Sequence, residues 1–197
     1  MDRVLEFATA ELAENGPVAF NLDRVIETSG VSRGSIYHHF GSKAGVITAA
    51  EAMDLLKAYH DGNLATRQIV ERASSGDELI EWVGLAVQMG SGEQGRRARA
   101  RRIATIAAAE QIPALREVLT DAQRSGVAYY AETLRRAVER GLIAPTMEVL
   151  AIANVIQSLL VGRTVIDVLD DVDQESEWCD AVVSLIATML KPVPSGR

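Results

Sequence analysis

Apolar residues recur at spacings of three and four along almost the whole chain, which is the period of an amphipathic helix. The first such stripe consists of Val4, Leu5, Ala8 and Leu12. Asn15-Gly16-Pro17 follows it and predicts the end of a first helix over residues 2–14. We find no set of alternating strands bounded by turns, so the pattern predicts an all-α fold.

Capping residues predict three further helices before residue 60. Asn21 caps a short second helix, which Gly30 closes. Ser32 caps a third helix that ends at Phe40. Ser42 caps a fourth helix over residues 43–60.

After a predicted break at residues 61–63 the helices lengthen. We predict them over residues 64–73, 76–89, 96–111, 114–140, 147–169 and 175–190. The segment 147–169 is apolar on more than one face, so both faces must be buried in a large core or against a partner chain. Because few residues remain to cover it, we predict a homodimer in which the last two helices form a four-helix interface with their copies. The residues expected in this interface are Leu159, Val182 and Ile186.

The charge is distributed unevenly. The net charge of −7 does not by itself suggest nucleic-acid binding. Residues 28–50, however, contain no Asp or Glu and include Arg33 and Lys43, so this window carries +2 and the other residues −9. In an acidic protein, one segment without acidic residues can bind DNA phosphates while the negatively charged remainder is repelled by the DNA.

The cysteine count and the apolar segments bear on the compartment. Cys179 is the single cysteine, which excludes an internal disulfide and a zinc site built on paired cysteines. The first residues lack the pattern of a signal peptide. The most apolar stretch, residues 149–162, is uncharged over only 14 residues, too short to span a bilayer. We therefore predict a cytoplasmic protein without a membrane partner.

Residues 21–40 have the pattern of a helix-turn-helix. Two helices of about eight residues are joined by Ser29-Gly30-Val31, where glycine can take the left-handed conformation of a sharp turn. The inward positions are apolar: Leu22, Val25, Ile26, Val31, Ile36 and Phe40. The outward positions of the third helix carry hydrogen-bond donors: Ser32, Arg33, Ser35, Tyr37 and His38. Donors on one outward face suit phosphates and base edges in a major groove.

The segment Gly-Val-Ser-Arg-Gly-Ser-Ile-Tyr-His-His-Phe-Gly-Ser-Lys, residues 30–43, resembles the signature of the TetR family of bacterial repressors. The similarity covers residues 2–58 in detail and, beyond them, only the number and lengths of the helices. The resemblance implies an N-terminal three-helix helix-turn-helix DNA-binding domain, residues 1–58, and a larger C-terminal helical ligand-binding and dimerisation domain, residues 59–191. The composition of residues 192–197 predicts a flexible tail.

The resemblance also implies roles for individual residues. The positions that match DNA contacts of the family are Asn21, Thr28, Ser32, Arg33, Gly34, Ser35, Tyr37, His38 and Lys43. Among them, Arg33 is the first choice for a guanine edge, and Lys43 for a charge-assisted phosphate bond. Two features depart from the family. Only Arg3 supplies a basic residue near the first helix, and Arg24 stands where an acid is common, either to bind phosphate or to face solvent.

The family architecture further implies a small-molecule effector. Ligand sites are mostly apolar with a few fixed polar groups. The pocket candidates are Trp82, Met89, Tyr129, Tyr130, Asn154 and Gln157. Asn154 and Gln157 are alternatively a buried interchain hydrogen bond. The five arginines in residues 96–102 either form a solvated face or pair with acids such as Asp170, Asp171 and Asp173, or they bind an anionic ligand or DNA phosphates.

The predicted function is that of a regulator, most simply a repressor that an apolar or amphipathic effector releases from a palindromic double-stranded operator. Two other classes of function fit the sequence less well. Three His, one Cys and no convergent acid–base motif argue against an enzyme, and no cofactor or metal is expected. The adjacent His38 and His39 point in different directions on a helix, which argues against a metal site built on this pair. A helical interaction module without DNA binding fits the long helices but leaves the pattern of residues 33–43 unexplained.

Overall fold

The computed structural model of the chain describes residues 1–110, 113–169 and 172–194. Its helices are α1 (Asp2–Ala19), α2 (Leu22–Ser29), α3 (Arg33–Phe40), α4 (Lys43–Arg72), α5 (Gly76–Met89), α6 (Gly92–Ala109), α7 (Pro113–Glu139), α8 (Val149–Gly162), α9 (Thr164–Asp167) and α10 (Val172–Leu190). The predicted all-α fold is confirmed. The predicted end of the first helix coincides with a kink in α1, where Gly16 has φ of 69° ahead of Pro17.

The chain forms two compact units. The first consists of Met1–Tyr59 together with Ala104–Ala122, and the second of His60–Ile103 together with Gln123–Arg197. In the first unit the main core is built from α1, α2, α3 and the start of α4, and it includes Val4, Phe20 and Ile36. The core of the second unit includes Ile152, Ile156 and Leu134. The units do not follow chain order alone, and the division at residues 58 and 59 stays a prediction about domains.

The predicted break at residues 61–63 was wrong, since α4 runs through it as one helix of 30 residues. A glycine inside a helix costs only about 1 kcal/mol relative to alanine, and the segment contains no proline. The carbonyl of Gly62 also accepts a hydrogen bond from the Thr66 hydroxyl at 2.9 Å. Helix propagation on both sides therefore outweighs the local turn signal.

Helix α6 begins four residues earlier than the predicted start at Arg96. Glycine makes this possible, because a Cβ atom at Gly95 would lie 2.0 Å from the carbonyl oxygen of Gly90. The same carbonyl accepts a hydrogen bond from Nη1 of Arg99 at 2.6 Å. The turn between α5 and α6 is thus closed by a tight backbone approach.

The predicted flexible tail was wrong for Pro192 and Val193. Pro192 forms an isolated antiparallel bridge with Ile143. The amide of Val193 donates to the carbonyl of Leu142 at 2.9 Å, and its carbonyl accepts from the amide of Gly76 at 3.0 Å. These backbone hydrogen bonds hold residues 192 and 193 in place after α10. Amino-acid composition, on which the prediction of a flexible tail was based, does not indicate such pairing. Residues 195–197 lie outside the described residues.

Within the described residues, Val149–Asp167 is the one helical stretch that by length and composition would cross a membrane. It reaches this length only by including Arg163 and Asp167. Both side chains form ion pairs, with Glu175 and Arg99 respectively. Paired charges and an apolar face in the core favour a helix packed within the second unit.

The predicted dimer contacts on the last helix need a correction. Val182 and Ile186 are 4% and 2% exposed and belong to the core of the second unit. They lie one turn apart on α10, on the face that packs against the chain's own helices, so they are not available to a second copy. Leu159 on α8 is partly buried.

Candidate nucleic-acid interface

Side-chain and glycine caps fix the ends of α2 and α3. Oδ1 of Asn21 accepts hydrogen bonds from the amides of Asp23 at 3.0 Å and Arg24 at 3.3 Å. Gly30 ends α2 with φ of 68°, a left-handed conformation that favours glycine. Oγ of Ser32 accepts from the amide of Ser35 at 3.2 Å. The predicted caps of both helices are confirmed.

The inward side of the two helices is apolar, as predicted. Ile36 is fully buried, and Leu22 and Val25 are buried with it. Ile26, Val31 and Phe40 are partly buried and pack against the same core. Burial of a residue of this size contributes roughly 1.5–3 kcal/mol, so the angle between α2 and α3 is fixed by packing as well as by caps.

All the predicted DNA-binding residues are exposed, namely Asn21, Thr28, Ser32, Arg33, Gly34, Ser35, Tyr37, His38 and Lys43. At Gly34 a Cβ atom would meet nothing within 4 Å. Packing within the chain therefore does not require a glycine there, and the bare backbone is open to another molecule. The donor face of α3, defined as Ser32, Arg33, Ser35, Tyr37 and His38, is exposed at all five positions, whereas Ile36 of the same helix is buried.

Some donors of this surface already have partners within the chain. The hydroxyl of Thr28 donates to the carbonyl of Arg24 at 2.7 Å, and the hydroxyls of Ser32 and Ser35 lie 3.0 Å apart. Nη2 of Arg33 contacts the carboxylate of Asp23. Nζ of Lys43, in the first turn of α4, lies 5.7 Å from the ring centre of Phe20.

Sequence reasoning missed Glu11, a buried carboxylate that ties α1 to α2. Its Oε1 accepts from the amide of Asn21 at 3.2 Å, and its Oε2 accepts from Nη1 of Arg24 at 3.1 Å. Arg24 therefore holds the helix-turn-helix onto α1 while its side chain stays 52% exposed, so it faces solvent as one of the two predictions had it. The available signal was the position of Glu11 beside Leu12, on the apolar stripe of the first helix.

The predicted pocket residues have different surroundings in the second unit. Met89 is 86% exposed. Asn154 is also exposed, and its Nδ2 donates to the carbonyl of Leu150 on the same helix at 3.0 Å. Trp82, Tyr129 and Gln157 are partly buried. Tyr130 packs against the core, where burial raises the pKa of its phenol to about 12.

Three of the five arginines in the arginine-rich segment pair with acids, as one of the predicted alternatives had it. Arg99 makes a bidentate ion pair with Asp167, at 2.6 and 2.7 Å. Nη1 of Arg96 lies 3.6 Å from Oε2 of Glu175, and Arg97 pairs with Glu93 on the surface. The acids differ from those proposed: Asp170 and Asp171 lie outside the described residues, and so does the side chain of Asp173.

Glu175 also belongs to a second group centred on Arg163, which the sequence did not predict. Arg163 is 2% exposed. Its guanidinium contacts the carboxylate of Glu175 and donates to Oγ of Ser91 at 2.7 Å and to the carbonyl of Val87 at 3.2 Å. The guanidinium carbon lies 4.9 Å from the ring centre of Trp178. One buried side chain therefore links the end of α5 to α10.

No cluster of three or more His, Cys, Asp or Glu side chains is placed to hold a metal ion in the part of the chain that the structure describes. His39 instead stacks edge-on against Phe40, with ring centres 4.6 Å apart.

Comparisons with known proteins agree with this geometry. Residues 4–50 match the family model described as bacterial regulatory proteins, tetR family. The transcriptional regulator UidR of Escherichia coli K12 is 21% identical over 188 residues, which cover 95% of this chain and 91% of UidR. The matched segment contains α2, α3 and the donor face.

Solved structures share the fold over nearly the full length. A TetR-family transcriptional regulator from Mesorhizobium loti has a TM-score of 0.71 at 16% identity, covering 95% of this chain and 94% of its own. A transcriptional regulator from Saccharomonospora viridis, solved in complex with choline, has a TM-score of 0.67 at 18% identity, covering 98% and 97%. Residues 4–50 therefore match a TetR-type helix-turn-helix DNA-binding domain, and the chain as a whole shares the fold of TetR-family transcriptional regulators.

Proposed function

We propose that the protein is a homodimeric repressor that places two copies of α3 in successive major grooves of a palindromic operator. The donor face of α3, which is exposed while Ile36 anchors the helix in the core and the caps fix the ends of α2 and α3, carries this proposal. A helix fixed in this way keeps its donors at constant positions relative to the groove. Such a protein acts where the genome is, in the bacterial cytoplasm.

Within this proposal the exposed residues divide into two groups. Asn21, Thr28, Tyr37, His38 and Lys43 contact phosphates and set the register of the protein on the duplex. Ser32, Arg33 and Ser35 face base edges, and Gly34 lets the backbone of α3 approach them. Arg33 donates to O6 and N7 of a guanine, the most frequent specific contact in major grooves. The nine positions are exposed together, which is what this division needs.

Replacing Arg33 and Lys43 separately tests this division. Arg33→Ala should weaken binding to the selected operator by about 1–3 kcal/mol and relax the preference at one base pair. Lys43→Ala should weaken operator and random DNA alike and reduce the slope of log affinity against log salt by about 1. Fluorescence anisotropy on both DNAs at several salt concentrations measures these effects. Equal losses on operator and random DNA for Arg33→Ala would exclude its role at a base edge.

The proposed effector is apolar or amphipathic. Trp82, Tyr129, Tyr130 and Gln157 are partly buried in the second unit and can supply apolar walls with a few polar groups. An anionic head group is less favoured, because Arg99 and Arg163 are already paired with Asp167 and Glu175. The neighbour from S. viridis was solved with choline, so this fold accommodates a small molecule. Release from DNA requires tighter effector binding to the arrangement of the dimer that does not bind DNA.

Reciprocal titration tests effector release. Compounds that raise the melting temperature are titrated against the operator complex, and operator DNA is titrated against the effector complex. We expect both affinities to fall by the same factor, typically 5–150-fold for an allosteric pair, about 1–3 kcal/mol. Gln157→Leu should weaken effector binding while operator affinity without effector is kept. A compound that binds tightly and leaves operator affinity unchanged would show that its site is not the switch.

A further inference from the structure

An ion pair joins the two helices of the helix-turn-helix on their exposed side. Asp23 lies in the first turn of α2 and Arg33 is the first residue of α3. Nη2 of Arg33 contacts Oδ1 of Asp23, and the side chains are 54% and 70% exposed. The pair therefore connects Arg33, which is predicted to contact a base, to Asp23, which lies before the acid-free window of residues 28–50.

The charge of Asp23 is unfavourable for simple DNA affinity. A carboxylate beside the residue that approaches the duplex is repelled by phosphates, and it lowers the effective positive charge of Arg33. An acid in the first turn of a helix does stabilise that helix through the dipole. Helix stability alone, however, does not require contact with Arg33.

The geometry of the guanidinium permits a second partner. Arginine has five N–H donors in a rigid plane, and the contact with Asp23 is made from Nη2. The donors on Nη1 and the second hydrogen of Nη2 remain for O6 and N7 of a guanine, which accept two parallel hydrogen bonds. Because the contact with Asp23 already restricts the guanidinium, Arg33 loses less conformational entropy when it binds a base.

We propose that Asp23 is a specificity-determining residue. Its carboxylate holds the guanidinium of Arg33 in the orientation that donates to a guanine edge. Its charge also opposes binding of Arg33 to phosphates of any sequence. Asp23 thereby raises the ratio of operator to random-DNA affinity, and it does so at the expense of total affinity. This inference rests on the proposed function of α3.

Asp23→Asn tests the inference, with Glu27→Gln as the matched control. Glu27 is exposed one turn further along α2, so both substitutions remove one negative charge from the same helix. The base pair to be tested is the one at which Arg33→Ala loses its preference among DNA fragments selected by the wild type. Affinity is then measured for the operator, for the operator with that base pair replaced, and for random DNA.

We expect Asp23→Asn to lose at least fivefold of the discrimination at that base pair and to bind random DNA more tightly. Glu27→Gln should also bind random DNA more tightly but keep the discrimination. In the Arg33→Ala background, Asp23→Asn should change discrimination less than twofold. Asp23→Glu keeps the negative charge in the first turn of α2 and therefore the stability of that helix. This variant should retain part of the discrimination.

Four results would overturn the inference. Discrimination retained in Asp23→Asn would show that the contact does not orient Arg33, and an equal loss in the Arg33→Ala background would show that Asp23 acts through helix structure. A loss of equal size in Glu27→Gln would assign the effect to charge alone. If the wild type itself shows no sequence preference, the proposed function fails together with this inference. A wild-type preference that Asp23→Asn leaves unchanged refutes the inference only.

Discussion

Arg163→Met is expected to lower the free energy of unfolding by about 3 kcal/mol, the cost of removing one partner from a buried ion pair. The side chains of Arg163 and Glu175 are 3% and 13% exposed. Methionine fills much of the volume but leaves the Glu175 carboxylate, among the residues that the structure describes, with Arg96 at 3.6 Å and the amide of Gly92 at 3.4 Å. Urea denaturation followed by circular dichroism measures the change.

Arg97→Met is the control for this prediction. Arg97 pairs with Glu93 one turn away on α6, and the two side chains are 76% and 70% exposed. Exposed pairs of this kind contribute about 0.3–0.5 kcal/mol. Adding Glu175→Gln to Arg163→Met should recover part of the loss, because no unpaired charge then remains in the buried group. Similar destabilisation by Arg163→Met and Arg97→Met would contradict the role of burial.

The features that the sequence predicted correctly depend on local chemistry. Asn21 and Ser32 cap helices with their own side-chain oxygens, and Gly30 provides a conformation that other residues avoid. These effects act within four residues, so they are visible in the sequence. The exposure of the donors on α3 was also predictable, because helical periodicity and the apolar residues Ile36 and Phe40 indicate which side of the helix packs against the core.

The features that the sequence did not reveal depend on distant partners. The contact between Arg163 and Val87 joins residues 76 positions apart, and the sequence around either residue does not indicate the contact. The bridge of Pro192 with Ile143 is of the same kind. Periodicity showed that Val182 and Ile186 are buried, but a periodic pattern does not distinguish the chain's own core from a second copy.

In the proposed homodimer we expect the second copy to cover the exposed side of the same two helices. Val155 on α8 and Leu185 on α10 are 37% and 43% exposed, while Ile156 and Ile186 beside them face the core. Exposed apolar side chains on long helices that already contribute a core face indicate that these helices bury a second face in an assembly. A two-fold interface of α8 and α10 would cover them in both copies.

Val155→Glu combined with Leu185→Glu is expected to convert the proposed dimer into a folded monomer. Each substitution enters a two-fold interface twice, so four carboxylates would have to be buried without partners. Loss of the second half-site should weaken binding to a palindrome by about 100-fold or more, because linked sites gain a factor of about 10²–10⁴. Sedimentation velocity gives the mass, and fluorescence anisotropy gives the affinities for a palindrome and for one half-site.

Val138→Glu on α7, at 40% exposure, is the matched control and should stay dimeric. A double variant that sediments as the wild type does would place the interface on another surface.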